Sequence, residues 1–236
     1  MSETYLPSCC SPLHDHWPLP QALPGVQLLS TRFTAERLAA EDFGRCGIAP
    51  VPGVAKRQTE FLAGRLCARE ALLRLTGQAQ VPPIGADRAP QWPAGVVGSI
   101  THGNGWAAAL VARRSAWRGL GLDVEQPLAI ARAERLAAEI LTPDELRRLQ
   151  PLSAAQRAWR VSLTFSLKES LFKALYPQVL RRFYFQDAEL LSCGEDGQAR
   201  LRLLIDLDRE WTAGRELQGQ FGEFQGQLLS LVAIPA

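Results

Sequence analysis

The chain has 236 residues, of which 47% are hydrophobic and 21% charged, so it can bury a sizeable core as one large domain or two small ones. A formal net charge of +2 gives no overall attraction to nucleic acid or membranes, so we expect neither as a partner and look for local anion sites. No signal-peptide pattern and no long apolar run is visible, which predicts a cytoplasmic protein. Five cysteines without C-x-x-C spacing predict free thiols rather than disulfides or a zinc site.

The first half of the chain combines helix signals with proline-rich loops and one hairpin signal. The strongest helix pattern ends at Gly77, and Asn104-Gly105 is a typical hairpin connection. We predict, in chain order, an irregular surface arm over residues 1–25, a helix over 31–42, a loop over 44–54, a helix over 58–75, a loop over 81–93, and a hairpin over 96–111.

The second half repeats this mixture of helices and antiparallel strands. Pro127 ends a strand, and Thr142-Pro143 is a helix start with a capping residue and proline in the first turn. The fold class that follows is α/β, of the α+β kind. We predict a strand over 119–125, helices over 129–140, 142–149 and 154–176, a hairpin with strands 190–192 and 199–207, and a last strand over 227–234.

Two acids stand at alternate positions of the strand that begins at Gly119. Because successive side chains of a strand point to opposite faces, Asp123 and Glu125 project side by side from one face. An acid in an otherwise apolar strand is costly to bury without a cation. The alternative is that both acids are solvated at the end of the strand.

A polar stripe follows about forty residues later in the predicted helix over 154–176. Ser166, Glu169, Ser170 and Lys173 stand at i, i+3, i+4 and i+7, which is one face of a helix. If this stripe faces the strand, three carboxylates and a lysine converge. Such a set of oxygen ligands beside a cation suits Mg²⁺ bound together with a phosphate-bearing substrate.

The use of lysine supports this interpretation of the helix. The chain has 26 basic residues, and only Lys56, Lys168 and Lys173 among them are lysines. Two of the three lie in one six-residue stretch of the helix. An ammonium is a compact charge that can lose a proton, whereas a guanidinium is a planar fork that cannot, so the placement indicates a specific need for lysine.

Each candidate has a plain structural alternative. Glu169 and Lys173 have the spacing of an exposed i, i+4 helix pair. His102 is the only histidine outside the N-terminal arm, and a single histidine often serves as a structural hydrogen-bonding group; its Gly-rich surroundings favour a phosphate contact. Lys56 and its basic neighbours on the first long helix could form a solvated helix face.

Three segments in this order and spacing resemble the 4'-phosphopantetheinyl transferases of the type that serves surfactin and enterobactin synthetases. They are WPAGVVGSITHGNG at 92–105, GLGLDVE at 119–125 and FSLKESLFK at 165–173. The preceding EFLAGRLCAREAL at 60–72 and RAPQWP at 88–93 resemble the enterobactin branch. The resemblance covers about half of the chain.

The resemblance implies a monomer with the 4'-phosphopantetheinyl transferase fold, in which two similar α/β halves are related by a pseudo-twofold. The boundary near Arg118 separates an N-terminal half, 1–118, with coenzyme A phosphate and adenine contacts, from a C-terminal half, 119–236, with Mg²⁺ and catalytic residues. The implied activity transfers 4'-phosphopantetheine from coenzyme A to a serine of an apo acyl or peptidyl carrier protein and releases 3',5'-ADP. The expected partners are carriers of fatty acid synthesis, of siderophore synthesis or of both.

The resemblance also implies roles for individual residues. Asp123, Glu125 and Glu169 would hold Mg²⁺, and Glu169 would be the general base, directly or through a water. Lys173 would neutralise the pyrophosphate, with Lys168 assisting. The remaining contacts to coenzyme A would come from Ser99 and His102 at the nucleotide phosphates and from Lys56, Arg57, Arg65 and Arg88 around the 3'-phosphate and adenine.

Two other function classes stay open at the level of the sequence. A metal-dependent pyrophosphohydrolase would use the same carboxylates with water as the nucleophile. A non-catalytic module that binds coenzyme A or docks a carrier would keep the basic residues without needing the acids. The presence of Asp123, Glu125, Glu169 and Lys173 together favours an enzyme over the binding module.

Overall fold

A computed structural model describes residues 5–236, and the chain divides into two compact units. The first unit comprises the described residues up to Trp17 together with Pro24–Ala116. The second comprises Pro18–Leu23 and Trp117–Ala236. Each unit contains helices and an antiparallel sheet, which confirms the predicted fold class. The short segment 18–23, which packs with the second unit, was not predicted from the sequence.

The first unit packs one long helix on a four-stranded antiparallel sheet. Leu62, Leu66 and Leu72 on the buried face of the long helix are at most 1% exposed, and they pack into two apolar clusters with residues of the sheet. The elements of this unit are β1 (His14–Asp15), β2 (Gln27–Arg32), α1 (Asp42–Cys46), α2 (Ala55–Thr76), β3 (Val96–Gly103) and β4 (Trp106–Arg113). The strands of the sheet have the order β1-β2-β4-β3.

The helix predicted over 31–42 is wrong. Residues 27–32 form strand β2, which pairs with β1 on one side and β4 on the other, and only one 3-10 turn follows at Ala35–Arg37. Thr34, the supposed cap, makes no side-chain capping bond. Burial of β2 between two strands overrides a local helix signal that was weak. The loop predicted over 44–54 likewise contains the end of α1.

The predicted hairpin is confirmed, with one shift in its boundary. Asn104 and Gly105 connect β3 to β4 with φ angles of 45° and 73°, the left-handed values that a two-residue hairpin turn of this type requires. Strand β3, however, continues to Gly103. His102 therefore lies in the strand, opposite Ala107, and not in the connection.

The second unit packs a 26-residue helix on a five-stranded antiparallel sheet of order β5-β9-β8-β7-β6. The strand at Glu216–Phe224 was not predicted, because its two glycines and its lack of β-branched residues give a weak strand signal. No helix in the described part of the chain is long and apolar enough to cross a membrane. The elements are β5 (Trp117–Glu125), α3 (Ile130–Ile140), α4 (Pro143–Leu149), α5 (Ala154–Val179), β6 (Ala188–Cys193), β7 (Gln198–Leu203), β8 (Glu216–Phe224) and β9 (Gln227–Pro235).

Helix α5 is fixed at its start and against the sheet. Ser153 and Gln156 form a reciprocal capping box that satisfies two amide groups of the first turn. Leu163, Leu167 and Leu171 are completely buried in the core of this unit. These contacts hold the helix across the sheet, and they orient the polar stripe that α5 also carries.

Two glycines of β5 bring α5 unusually close to the sheet. A Cβ atom at Gly121 would lie 1.8 Å from the carbonyl oxygen of Ser170, and one at Gly119 would lie 2.4 Å from that of Ala174. Both obstructing atoms belong to the backbone of α5 and cannot turn aside. Only glycine at these two positions permits the observed distance between strand and helix.

Replacement of Gly121 by alanine should therefore destabilise the protein strongly. We expect Gly121→Ala to lower the free energy of unfolding by at least about 2 kcal/mol, because the helix must move away from the strand. Gly44→Ala is the matched control, since a Cβ atom there meets nothing within 4 Å. Denaturant unfolding measures both, and equal midpoints for the two variants would contradict the close approach.

Candidate functional site

The candidate site of the second unit lies where β5 faces α5. One face of β5 carries Gly119, Gly121, Asp123 and Glu125. On this face, the two glycines that allow the helix to come close are followed by the two acids. Asp123 is 4% exposed, whereas Glu125 at the end of the strand is half-buried. The alternative that both acids are solvated is thus excluded for Asp123.

Asp123 is bound by two residues of the polar stripe on α5. Lys173 donates from Nζ to Oδ1 of Asp123 at 2.6 Å, and Ser166 donates from Oγ to Oδ2 at 2.9 Å. Lys173 also donates to the backbone oxygen of Leu122 at 3.1 Å. The stripe therefore faces the strand, which is the condition under which the acids and the lysine were expected to converge.

A serine on β9 completes the polar contacts beneath Asp123. Ser230 lies opposite Asp123 in the sheet, and its Oγ is 2.8 Å from the Oγ atoms of both Ser166 and Ser170. The sequence analysis did not single out Ser230. The available signal was one hydroxyl in the middle of the apolar run 228–234, all of it inside a predicted strand.

The ion pair of Lys173 decides between two interpretations of the stripe. An exposed pair between Glu169 and Lys173 on one helix was the plain alternative. In the structure the lysine pairs instead with Asp123, a buried carboxylate on another element. Lys173 thus links α5 to β5, and Glu169 stays half-buried beside it.

The site carries more negative charge than its lysine compensates. Burial raises the pKa of Glu125 to about 7, with repulsion from Asp123 and Glu169 adding to the effect and Lys173 opposing it. Burial also raises the pKa of Glu169, against the attraction of Lys173. Carboxylates crowded in this way favour a further cation, and oxygen donors suit a hard divalent ion.

Asp123, Glu125 and Glu169 are not arranged as a cluster of metal ligands. Over residues 5–236, no group of three or more His, Cys, Asp and Glu side chains is arranged to hold a metal ion. Asp123 is engaged by Lys173 and Ser166 instead. The assignment of Asp123, Glu125 and Glu169 to Mg²⁺ therefore stays a prediction, which the charge and donor chemistry of the site favour.

A cavity of about 200 Å³ adjoins Glu169. Its wall is largely aromatic, and one side of it is the irregular segment between α5 and β6. Arg182 and Tyr184, the latter 71% exposed, also line it. The lining residues are Lys168, Glu169, Phe172, Arg182, Phe183, Tyr184, Phe185 and Ala188.

Lys168 has a different place from the one predicted. Its side chain is 2% exposed and its ammonium donates to the backbone oxygens of Ile140 and Phe185, each at 2.8 Å, and to Glu145 at 2.7 Å. An ammonium has three hydrogens, so all its donors are used inside the protein. The predicted contact of the Lys168 ammonium to coenzyme A is therefore not favoured by this geometry.

The basic residues of the first unit cluster in part at the start of α2. Lys56 and Arg57 are exposed in its first turn, which contains no acid, and Val54 before it provides no side-chain cap. Positive side chains beside the positive end of a helix dipole are unfavourable unless an anion joins them. This arrangement is typical of a site for a phosphate group.

Arg65 lies further along α2 in a buried setting. It is 5% exposed, its guanidinium lies over the ring of Phe61, and its Nε has no hydrogen-bond partner. Burial lowers the pKa of Arg65 to about 10. A buried guanidinium with an unused donor is consistent with its predicted contact to an anion.

The other predicted contacts of the first unit do not share one surface. Ser99 is 4% exposed in β3, whereas His102, three positions later, points to the opposite face, where Nδ1 is 3.8 Å from Glu60 of α2. Arg88 is exposed in the loop before β3, with a left-handed φ of 70°. The structure therefore separates Ser99 from His102, although the sequence analysis predicted that both contact the nucleotide phosphates.

Two family profiles match the chain in succession. Residues 52–112 match the 4'-phosphopantetheinyl transferase N-terminal domain, and residues 119–229 match the 4'-phosphopantetheinyl transferase superfamily. The second match contains Asp123, Glu125, Glu169 and Lys173 and ends one residue before Ser230. The first contains α2 and the β3–β4 hairpin.

Curated relatives agree with these profiles. The 4'-phosphopantetheinyl transferase Svp of Streptomyces mobaraensis is 38% identical over 78% of this chain and 74% of its own length. Enterobactin synthase component D of Escherichia coli K12 is 44% identical over 50% of this chain, and the match spans 55% of that protein. A solved holo-ACP synthase from Plasmodium yoelii matches 51% of this chain and 95% of its own at 17% identity, with a TM-score of only 0.38.

The raised pKa of Glu125 predicts how stability depends on pH in metal-free protein. From about pH 4.5 to about pH 7 the folded state keeps a proton that the unfolded chain has lost, so the free energy of unfolding falls as pH rises. Glu125→Gln should reduce this fall, of which Glu169 keeps its own share, and in EDTA at pH 8 should raise stability by about 1 kcal/mol, allowing for solvent screening.

Denaturant unfolding at several pH values in EDTA measures this effect. Glu134→Gln, which removes an exposed acid from α3, is the matched control and should keep the slope of the unaltered chain. If Glu125→Gln loses stability with rising pH as steeply as Glu134→Gln does, the pKa of Glu125 is not raised in the folded protein.

Proposed function

We propose that this chain, which belongs to the 4'-phosphopantetheinyl transferase superfamily and is a 4'-phosphopantetheinyl transferase, moves the phosphopantetheine arm of coenzyme A to a carrier-protein serine. The acceptor is an apo acyl or peptidyl carrier protein, and the second product is 3',5'-ADP. The nucleophile therefore comes from the partner. What this chain supplies is a place for the pyrophosphate, a proton acceptor and the positioning of both substrates.

One observation carries the proposal: the pair of Lys173 and Asp123 beside two further acids whose pKa values are raised. A purely structural ion pair would not need Glu125 and Glu169 in addition. A group of acids that is short of positive charge, next to an ammonium, fits a cation together with a polyanionic substrate.

The residues fit Mg²⁺ as the cation. Asp123, Glu125 and Glu169 provide oxygen donors from two elements, and Mg²⁺ accepts few protein carboxylates because phosphates and water fill its other positions. When bound, the ion would neutralise charge on the pyrophosphate of coenzyme A. Lys173, released from Asp123 by the added charge, would then be free to contact the same pyrophosphate.

Glu169 is placed to accept the proton of the carrier serine. It lines the cavity, it is half-buried, and its raised pKa brings it closer to the range in which a carboxylate is an effective base. The serine oxygen would bond to the phosphorus that carries the pantetheine arm, while the bond from this phosphorus to the ADP oxygen breaks. Lys173 would stabilise the negative charge that develops on the departing ADP phosphate.

The rest of the substrate can be assigned by chemistry. The aromatic cavity beside Glu169 suits the long, weakly polar pantetheine arm. Lys56, Arg57 and Arg65 of α2 offer positive charge for the 3'-phosphate, with Arg88 and His102 as further candidates. Ser99 is the remaining predicted contact, and its side chain is buried on the other face of β3 from that of His102.

The setting of the enzyme forms part of the proposal. We place it in the cytoplasm as a monomer, and its five cysteines are free thiols, as predicted, which agrees with a reducing compartment. Fatty acid carriers and siderophore synthetase carriers are the candidate acceptors. The relatives named enterobactin synthase component D support the siderophore class for this chain.

Transfer to apo carriers tests the function directly. With coenzyme A, Mg²⁺ and a panel of apo acyl and peptidyl carriers, we expect one serine to gain the mass of phosphopantetheine, and EDTA should stop the reaction. Glu169→Gln should be at least about a hundredfold slower, since it cannot accept a proton. Turnover of coenzyme A without a carrier would instead indicate a pyrophosphohydrolase, and no mass gain on any carrier would contradict the proposal.

Lys173 should not be replaceable by arginine. Its ammonium fits between Asp123 and the backbone oxygen of Leu122, a space that suits a compact charge rather than a planar fork. We expect Lys173→Arg and Lys173→Ala both to reduce kcat by at least about tenfold, roughly 1.4 kcal/mol. Arg147→Lys, at an exposed position of α4, is the control and should be silent. A fully active Lys173→Arg would show that charge alone suffices.

A further inference from the structure

We propose that Lys168 and Glu145 form a buried pair that positions Glu169 and the cavity wall beside it, so that the Lys168 ammonium promotes transfer without contacting a phosphate of coenzyme A. The inference rests on the proposed function, because Glu169 is the proposed base. It gives a role to a lysine that stands next to the site and yet has no donor left for a phosphate.

Lys168 ties three parts of the second unit together. Its ammonium is bound to the end of α3 through Ile140, to α4 through Glu145 and to the segment before β6 through Phe185. Each of these distances is 2.7–2.8 Å, which is the range of strong charge-assisted hydrogen bonds. A shift of α5 along its axis would break all three contacts at once.

Glu145, the acidic partner of Lys168, also connects several elements through hydrogen bonds. Its Oε2 accepts from the backbone N–H of Thr142 at 2.7 Å, completing the capping box of α4, and also from Lys168. Its Oε1 accepts from the backbone N–H of Leu190 in β6 at 2.5 Å. One carboxylate, 5% exposed, therefore joins α4, α5 and β6.

These contacts reach the reaction site through two neighbours. Glu169 follows Lys168 directly in α5, so the anchoring of one fixes the position of the other. Phe185, whose carbonyl Lys168 holds, lines the same cavity as Glu169 and lies in the segment between α5 and β6. That segment has no strand pairing of its own, so the lysine bond constrains the wall that faces the base, together with the bonds from the Gln186 side chain to the end of α3 and the core packing of Phe183.

The chemistry of the pair favours positioning over stability. A buried ion pair gains little over well-packed apolar residues, because both charges lose their hydration. Four backbone groups, at Ile140, Thr142, Phe185 and Leu190, nevertheless depend on this pair for hydrogen bonds. Such an arrangement fixes one relative placement of its elements, which is what a reaction at Glu169 requires.

The test separates catalysis from folding and from substrate binding. Lys168→Met, Glu145→Gln and the double variant are assayed for kcat and for KM of coenzyme A at a temperature where circular dichroism shows each to be folded. We expect each single variant to lose at least tenfold in kcat, with KM changed less than threefold. The double variant should be no slower than the poorer single one, because the two residues act as a unit.

Glu189→Gln is the matched control. Glu189 is also a buried carboxylate, 3% exposed and paired with Arg148 and Arg202, but it does not line the cavity. This control should keep kcat even if it lowers stability. Hydrogen–deuterium exchange over residues 180–187 should rise in Lys168→Met and stay unchanged in Glu189→Gln, which reports on the wall independently of activity.

Three results would overturn the inference. Folded variants with unchanged kcat would show a purely structural pair, and a tenfold rise in KM at constant kcat would show that Lys168 binds coenzyme A after all. If Lys168→Met does not fold, Glu145→Gln decides alone, since it leaves the lysine its two carbonyl partners. Absence of transfer by the unaltered chain would overturn the proposed function itself and this inference with it.

Discussion

The close contact between β5 and α5 is the constraint on which the second unit depends. Gly119 and Gly121 remove the side chains that would keep the helix away, and the same strand face then presents Asp123 to the lysine of the helix. Packing and chemistry are thus coupled in one short segment. A change that separated the two elements would disturb the core and the charge cluster together.

The sequence predicted much of this site because its signals are local and periodic. Alternation along β5 and the i, i+3, i+4, i+7 spacing along α5 both survive in the structure, and so does the Asn104-Gly105 turn. Strand β2 was missed because its hydrogen bonds come from distant strands. The burial of the Lys168 ammonium could not be predicted, because its acceptors, at Ile140, Glu145 and Phe185, are brought together only by the fold.

Two kinds of lysine therefore stand five residues apart on α5. Lys173 is partly exposed and holds an acid whose charge a substrate complex could take over, so its contact can be exchanged. Lys168 is enclosed and saturated, so its contacts are permanent. A motif with two lysines does not by itself show which of them is available to a ligand, and the difference lies in burial and in the number of donors already used.

The segment 18–23 has a consequence for how the chain is made. Gln21 and Gln220 exchange two hydrogen bonds of 2.9 Å, each between a backbone group of Gln21 and the side-chain amide of Gln220, although 199 positions separate them. During synthesis the N-terminal partner leaves the ribosome long before the strand that holds the other. The second unit thus reaches its full set of contacts only when nearly the whole chain has emerged. In a chain whose synthesis stops before β8, segment 18–23 has no strand to which it can bind.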